Sequence, residues 1–424
     1  MNNTIRLIKT EKKDNLVNFV FEATGEITKY LYPKRNFAIE YPFSINDIPE
    51  GILNVTFVGN FLPFVFLFDV SFFISILDKS FYECIDEVKK GYIDMYPAMK
   101  FNGKISVDEI QDNTKPITDT KQVKTASFFS GGVDAYTTLL RHIDESPYLI
   151  TLRGADIKLN DLVGWSNLWS LTKHAATEYN LENIPIASEF RQIFDEGSLI
   201  DFLIPSKDRW WHGFHHGIGI ISHGAVPAYK FNISTIYIAS SFSIYQKNTY
   251  TCASDPTIDN HIRFGNTQIV HDGYELNRQD KIHFLCGYKN ENGKYPPVHV
   301  CFESSGGKNC CHCEKCYRTI IQIIAEGADP NDFNFKWDKE AVDNFRKRLE
   351  TFELILNKKM IKNSFKPAQE LIKKNKALIP NYSWYEWYAE FDFEDYSNKL
   401  SAHIKKKYSH PRIKKVLKKM CLFK

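Results

Sequence analysis

From residue 123 to about 325, short apolar runs alternate with helix-length amphipathic segments, the order expected of βαβ units around a parallel sheet. The runs predict strands over 123–129, 148–152, 184–188 and 235–240, and helices over 134–143, 161–179, 210–230 and 278–287. Before this region the pattern differs. Residues 16–22 and 53–59 show β-branched and aromatic alternation, and Pro33, Pro42 and Pro49 break the chain between them, so residues 1 to about 60 read as short strands. A helix is expected over 81–90, and the polar run 111–121 reads as a linker. Beyond residue 326 the chain turns acidic, aromatic and lysine-rich, with a charged helix expected over 339–357. The expected architecture is α/β: an open parallel sheet flanked by helices over 123–325, a β-rich α+β unit over 1–118, and a helical basic extension over 326–424.

One segment tests whether the chain is soluble. Residues 61–77 are almost wholly apolar, yet Asp69 sits at their centre, where insertion scales charge a carboxylate about 2.5–3.5 kcal/mol. With Pro63 and many aromatics, the segment is expected to be a buried strand-to-helix passage and not a transmembrane segment. The composition agrees, at 43% hydrophobic and 25% charged residues in 424, a globular profile too long for one ordinary domain.

Charge is distributed unevenly. The net charge is +3, but residues 397–424 hold ten Lys or Arg and no acid, so the 396 residues before them carry −7. The tail reads as a solvated helix with a lysine face, or as a contact for a partner protein, a nucleic acid or a membrane surface. The N-terminus has no apolar core or cleavage site of a signal peptide. Cys84, Cys252, Cys286 and Cys421 are scattered without a disulfide framework, so a reducing cytoplasm is the expected location.

The other five of the nine cysteines fall in one window, where Cys301, Cys310, Cys313 and Cys316 form C-x8-C-x2-C-x2-C. Four thiolates at such spacing suit tetrahedral Zn2+ and leave no open position for water or substrate, so a structural ion is expected. Cys311 is the thiol this set does not need. Active-site chemistry is then expected elsewhere in the chain.

The strand predicted at 123–129 runs into Ser130-Gly131-Gly132-Val133-Asp134 and then a helix. Glycines let backbone N–H groups approach an oxyanion, Ser130 adds a hydroxyl, and the helix start adds partial positive charge. Asp134 reads as a helix-start residue or a ligand for nucleotide-bound Mg2+. The spacing is not that of a Walker A loop.

Ser-Gly-Gly-Val-Asp at 130–134 resembles the SGGxDS loop of the PP-loop ATP pyrophosphatases. Together with Asn309-Cys-Cys-His-Cys-Glu-Lys-Cys-Tyr-Arg318 downstream, it resembles 7-cyano-7-deazaguanine synthase over residues 123 to 325. The resemblance implies a PP-loop (HUP-like) fold that binds ATP and adenylates a carboxylate or amide, releasing pyrophosphate before ammonia or an amine displaces AMP. It reaches neither end of the chain, which suggests a relative with added domains, of the kind found in anti-phage and polysaccharide gene neighbourhoods. Two departures stand out. Ala135 replaces the loop's final serine, and Cys311 stands where glycine is more usual.

Further residues fill out the expected site. The segment 209–217 puts His212, His215 and His216 on one expected helix, which could hold a second metal; the resemblance implies instead that this helix lines the substrate pocket, with Arg209 near a phosphate or substrate carboxylate. Asp255 and Asp259 read as ligands for Mg2+ or an amine, or as an Asp-Pro turn. Asn277 is expected to cap the next helix, leaving Arg278 and Lys281 in its first turn, where cations oppose the helix dipole and need an acid (Glu275 or Asp280) or a bound phosphate. Expected partners are a small-molecule or macromolecular acceptor, a homodimeric copy, and a protein or nucleic acid on the tail. Two other functions fit the same features: a nucleotide-binding subunit of a multi-protein system that has lost turnover, and an RNA-modifying thiolation enzyme using Cys311.

Overall fold

A computed structural model describes residues 2–116, 124–247, 249–301 and 308–407. Two compact units emerge from the chain's internal contacts: one of residues 1–130, 138–165 and 172–274, the other of 131–137, 166–171 and 275–424.

The first unit is built on an eleven-stranded sheet. Its strands are β1 (Thr4–Lys13), β2 (Leu16–Thr24), β3 (Asn36–Glu40), β4 (Ser71–Asp78), β5 (Lys104–Gln111), β6 (Lys124–Phe128), β7 (Tyr148–Arg153), β8 (Asn183–Ser188), β9 (Ile233–Ala239), β10 (Arg263–Phe264) and β11 (Thr267–Asp272). They lie in the order β10-β11-β9-β6-β7-β8-β3-β2-β1-β4-β5. Strands β11, β9, β6, β7 and β8 pair in parallel, as do β1, β4 and β5. The sheet is mixed and mostly parallel, and helices flank it. Strand β6 is the hinge of the topology. The chain runs from it through β7 to β8 on one side, then returns to β9 on the other, so a switch point falls at the carboxyl ends of β6 and β9, where open α/β sheets bind ligands.

The boundary expected at residue 118 does not separate two cores. Strand β3 pairs antiparallel with β8, Ile39 facing Ser188 and Glu40 facing Ala187, and the first 116 residues share a sheet and a hydrophobic core with those that follow. Nor does residue 325 mark a boundary, since the second unit already includes residues from 275 onward.

Three sequence expectations are corrected near α1 (Glu50–Leu67). Residues 53–59 are helical, although Val55, Thr56, Phe57 and Val58 favour strands; tertiary burial overrides that preference. The order along 61–77 is helix then strand, with β4 following α1. Asp69 is not inside the apolar run but exposed in the turn between the two, at φ 50°. Helix α1 is long and apolar enough by composition to cross a membrane, but 94% of it is buried inside the protein. Its polar residues are satisfied there. Asn54 donates to the Ile76 carbonyl at 2.8 Å, Thr56 to the Ser222 carbonyl at 2.9 Å, and Asn60 to the Thr56 carbonyl at 2.8 Å. A helix hydrophobic all round belongs in a core.

The remaining helices of the first unit, wholly or mainly, are α2 (Lys79–Met95), α4 (Leu162–Glu178), α5 (Glu196–Leu203), α6 (His216–Ile221), α7 (Ala225–Phe231) and α8 (Pro256–Asp259), with the middle of α4 counted in the second; α3 (Val133–Arg141) is divided, 133–137 belonging to the second unit and 138–141 to the first. The single helix expected over 210–230 is instead broken: a π-turn over Trp210–His215, α6, a 3-10 turn over Ser222–Gly224, and α7.

The second unit carries α9 (Arg278–Gly287), α10 (Glu314–Ala325), α11 (Lys339–Glu350), α12 (Lys358–Met360), α13 (Lys366–Lys374), α14 (Glu386–Ala389) and α15 (Phe393–Lys407). The expected helix over 339–357 ends earlier, at Glu350. Its core centres on α10, where Tyr317 meets Phe345 at a ring separation of 4.4 Å and Phe345 meets Trp387 at 5.5 Å. Most of the basic tail, residues 408–424, lies outside the described residues.

Candidate metal centre and nucleotide loop

The sulfurs of Cys301, Cys310, Cys313 and Cys316 all lie within 4.8 Å of one another. Cys301 to Cys313 and Cys310 to Cys316 are each 3.9 Å, close to the ~3.8 Å edge of a tetrahedron with Zn–S bonds near 2.3 Å. The four can hold a metal ion such as zinc. Sequence folds locally to make this possible. Cys313 caps α10, its sulfur accepting the Cys316 N–H at 3.5 Å, and the Cys310 sulfur accepts the His312 and Cys313 N–H groups at 3.5 and 3.3 Å. Backbone donors and a helix N-terminus both favour thiolate over thiol. Hydrogen bonding from Cys316 brings the Cys313 thiol down to about 5, while burial pushes Cys310 up to about 12.

Asn309 was not legible as a site residue. Its side chain donates to the Val298 and Asn334 carbonyls at 2.9 and 3.0 Å and accepts the Val300 N–H at 3.0 Å. It thereby ties the chain entering Cys301 to the turn entering Cys310. Nothing in a lone asparagine beside a cysteine pair announces this role.

Cys311 is not a ligand in this arrangement. Its sulfur accepts the Lys336 N–H at 3.2 Å and faces the Asn309 carbonyl at 3.6 Å, half-buried, with burial raising its thiol. Its φ of 58° is in the left-handed region, which costs an ordinary L-residue roughly 1–2 kcal/mol and a glycine little. Cys311→Gly is therefore expected to keep the metal and to match or slightly exceed the wild-type unfolding midpoint, checked by metal content and thermal melts.

The loop after β6 is formed by an exposed Ser130, then Gly131 at φ 72°, Gly132, and α3 starting at Val133. The φ of Gly131 favours glycine, and a Cβ there would come within 2.2 Å of Leu171 Cδ2 and displace that side chain. The Gly131 carbonyl accepts the His299 N–H at 2.7 Å, which fixes the turn's orientation. Ala135 packs in the interior.

Asp134 lies in the first turn of α3, and both its oxygens are engaged. Arg278 Nη1 reaches one at 3.0 Å and Lys281 Nζ the other at 3.1 Å. Burial works to raise its pKa, but Lys281 and Arg278 outweigh that and hold it at about 2. An acid that balances the cations in the first turn of α9 is thus Asp134. Asp280 instead completes the capping box with Asn277 that starts α9. As placed, Asp134 is a counter-ion to Arg278 and Lys281.

The other expected ligands have local duties. Asp255 caps α8, accepting the Thr257 N–H at 2.9 Å and hydroxyl at 2.7 Å, which is the Asp-Pro turn. The N–H of Arg209 donates to Asp208 at 2.8 Å and its carbonyl accepts the Gly213 N–H at 2.8 Å. Neither makes a described contact with Ser130. Asp259 is buried against His271 at 2.8 Å and Ser254 at 2.7 Å. His215 and His223 are core histidines: His215 bonds Asn60 at 2.8 Å, and His223 bonds Ser188 at 2.8 Å. Burial depresses both, His223 to about 4. Among the described residues, the four cysteines are the one cluster fit to hold a metal. The chain matches no family model, no curated protein and no solved structure.

Proposed function

We propose that this protein is an ATP-dependent adenylating enzyme that releases pyrophosphate and joins a carboxylate or amide to ammonia or an amine. The observation that carries this reading is the Ser130-Gly131-Gly132 turn at the end of β6. The turn follows β6 directly in the chain and joins a left-handed glycine to a helix start, whose N–H groups suit an oxyanion. Loop N–H groups and the Ser130 hydroxyl would bind the phosphate oxygens. Arg278 and Lys281, now paired with Asp134, would turn to the charge that develops on departing pyrophosphate, where preorganised donors act most strongly. The ion held by the four cysteines is zinc in this reading, closed and structural, keeping the start of α10 rigid. Mg2+ accompanies the nucleotide, without Asp134 as its ligand.

With ATP, Mg2+, ammonia and 7-carboxy-7-deazaguanine, the expected products are AMP and pyrophosphate in equal amounts. Silence with that acid and with a panel of other small acids and amides would defeat the proposal.

Ala135 favours a second reading, a nucleotide-binding subunit without turnover, because the loop lacks the hydroxyl of the family it resembles. Tight nucleotide binding by calorimetry with no pyrophosphate released would select it. The thiolation reading draws no support from Cys311, which is pinned by Lys336 and carries a raised thiol.

A further inference from the structure

Within the first unit, Asp208 and His212 form a charge-oriented pair outside the nucleotide loop. Asp208 lies just ahead of the π-turn over Trp210–His215, and its side chain is 8% exposed. Four donors converge on it. Oδ1 takes His212 Nδ1 and the Arg209 N–H, both at 2.8 Å, while Oδ2 takes the hydroxyls of Tyr96 and Thr251, both at 2.8 Å. Burial works to raise this carboxyl, but the hydrogen bonds, that of His212 first, outweigh it. A carboxylate satisfied on both oxygens is ionised and rigid.

The tautomer of His212 follows. A nitrogen facing an ionised carboxylate must donate, so Nδ1 carries the proton and the neutral ring keeps its lone pair on Nε2. Nε2 has no hydrogen-bond partner among the described residues, and the His212 side chain is 45% exposed. The edge of the ring is fixed a second time by Phe242, perpendicular to it at 5.9 Å and itself stacked on Tyr250 at 5.1 Å. Gly213 makes room for the pair, since a Cβ there would come within 2.6 Å of both the Asp208 carboxyl carbon and the Tyr96 hydroxyl. π-turns recur at functional sites because they move side chains off the regular helical positions. Further along the chain, His215 and His223 are buried, while His212 is held open.

We propose that His212 is a general base, oriented by Asp208, that takes the proton of an amine or hydroxyl nucleophile. In that step the N–H or O–H bond breaks with its electron pair remaining on the nucleophile, the proton bonds to Nε2, and the imidazolium is balanced by the adjacent Asp208 carboxylate. Asp208 is a positioning residue. The base rests on this geometry alone; that the nucleophile is the acceptor amine rests on the adenylation reading.

The test needs no ATP. Long-range 15N NMR of the full chain, with His212→Gln to assign the signal, is expected to show a protonated Nδ1 and an unprotonated Nε2 once the pH is high enough for the ring to be neutral. Diethyl pyrocarbonate, mapped by mass spectrometry, is expected to modify His212 faster than His261, an exposed imidazole, and Asp208→Asn is expected to abolish the difference. A proton on Nε2 of the neutral ring in the wild-type protein, or modification of His212 no faster than His261, would overturn the assignment, and both are read on the wild type should Asp208→Asn fail to fold. Either result leaves the adenylation reading standing, just as absent pyrophosphate release leaves the base standing.

Discussion

Replacing Cys316 with serine is expected to strip the metal ion and to melt the second unit well below the wild-type temperature. The sulfur is fully buried at the start of α10, and the residues after it, Tyr317, Thr319, Ile320, Ile321, Ile323 and Ile324, are buried in turn. Structural zinc contributes about 10–16 kcal/mol of apparent free energy to zinc-finger peptides, comparable to the whole stability of a domain, about 5–15 kcal/mol. The second unit also has an aromatic core around Tyr317 and Phe345, so part of its stability survives. A loss of several kcal/mol remains, which in a unit of this size lowers the midpoint by about 10 °C or more. Metal analysis should find one zinc per wild-type chain and none in the variant, and prolonged chelation should reproduce its melting curve. A metal-free variant that melts with the wild type would show that the cluster holds nothing of structural consequence.

Asp134→Asn is expected to destabilise the protein while sparing nucleotide affinity. The exchange removes the carboxylate that faces Lys281, whose side chain is 3% exposed, and Arg278. Breaking a buried pair on one side costs about 3–5 kcal/mol, and because Asp134 is itself 26% exposed the lower end applies, about 3 kcal/mol. Urea unfolding measures it. The same pair sets a pH dependence. Asp134 is held at about 2 in the folded protein, below the ~3.9 of an unfolded aspartate. Its contribution, about 2–3 kcal/mol, is therefore complete above about pH 4 and disappears as pH falls through 2. The variant should lack this acid limb.

The nucleotide measurement separates two roles for Asp134. A Mg2+ ligand would lose affinity for Mg-ATP on becoming asparagine. A counter-ion releases two cations to the phosphates, so affinity is kept or increased. Calorimetry with Mg-ATP distinguishes them.

Much of the parallel sheet was legible because its strands are short apolar runs bounded by helices of clear period. Strands β6, β7, β8 and β9 fall within about two residues of expectation, and α9 matches it end to end, since Asn277 is a strong cap. Helix α1 was misread for a physical reason. It is buried on every side, so it shows no amphipathic period, and its Val, Thr and Phe residues mimic a strand. The joining of β3 to β8 depends on a pairing across some 150 residues, which local patterning does not encode. In the candidate site, the four cysteines were readable from spacing alone. The partners of Asp134 were not, because a salt bridge across 144 residues leaves no local signature. Arg278 and Lys281 hinted at one by sitting where the helix dipole disfavours them.

The central claim is that the protein adenylates an acceptor carboxylate or amide. It is tested most directly with an acceptor acid whose carboxylate carries 18O, incubated with unlabelled ATP, Mg2+ and ammonia. The account predicts one 18O transferred to the phosphate of AMP, in step with pyrophosphate release and loss of that oxygen from the acid. Product that forms with unlabelled AMP, or with ADP and inorganic phosphate in place of AMP and pyrophosphate, would contradict it.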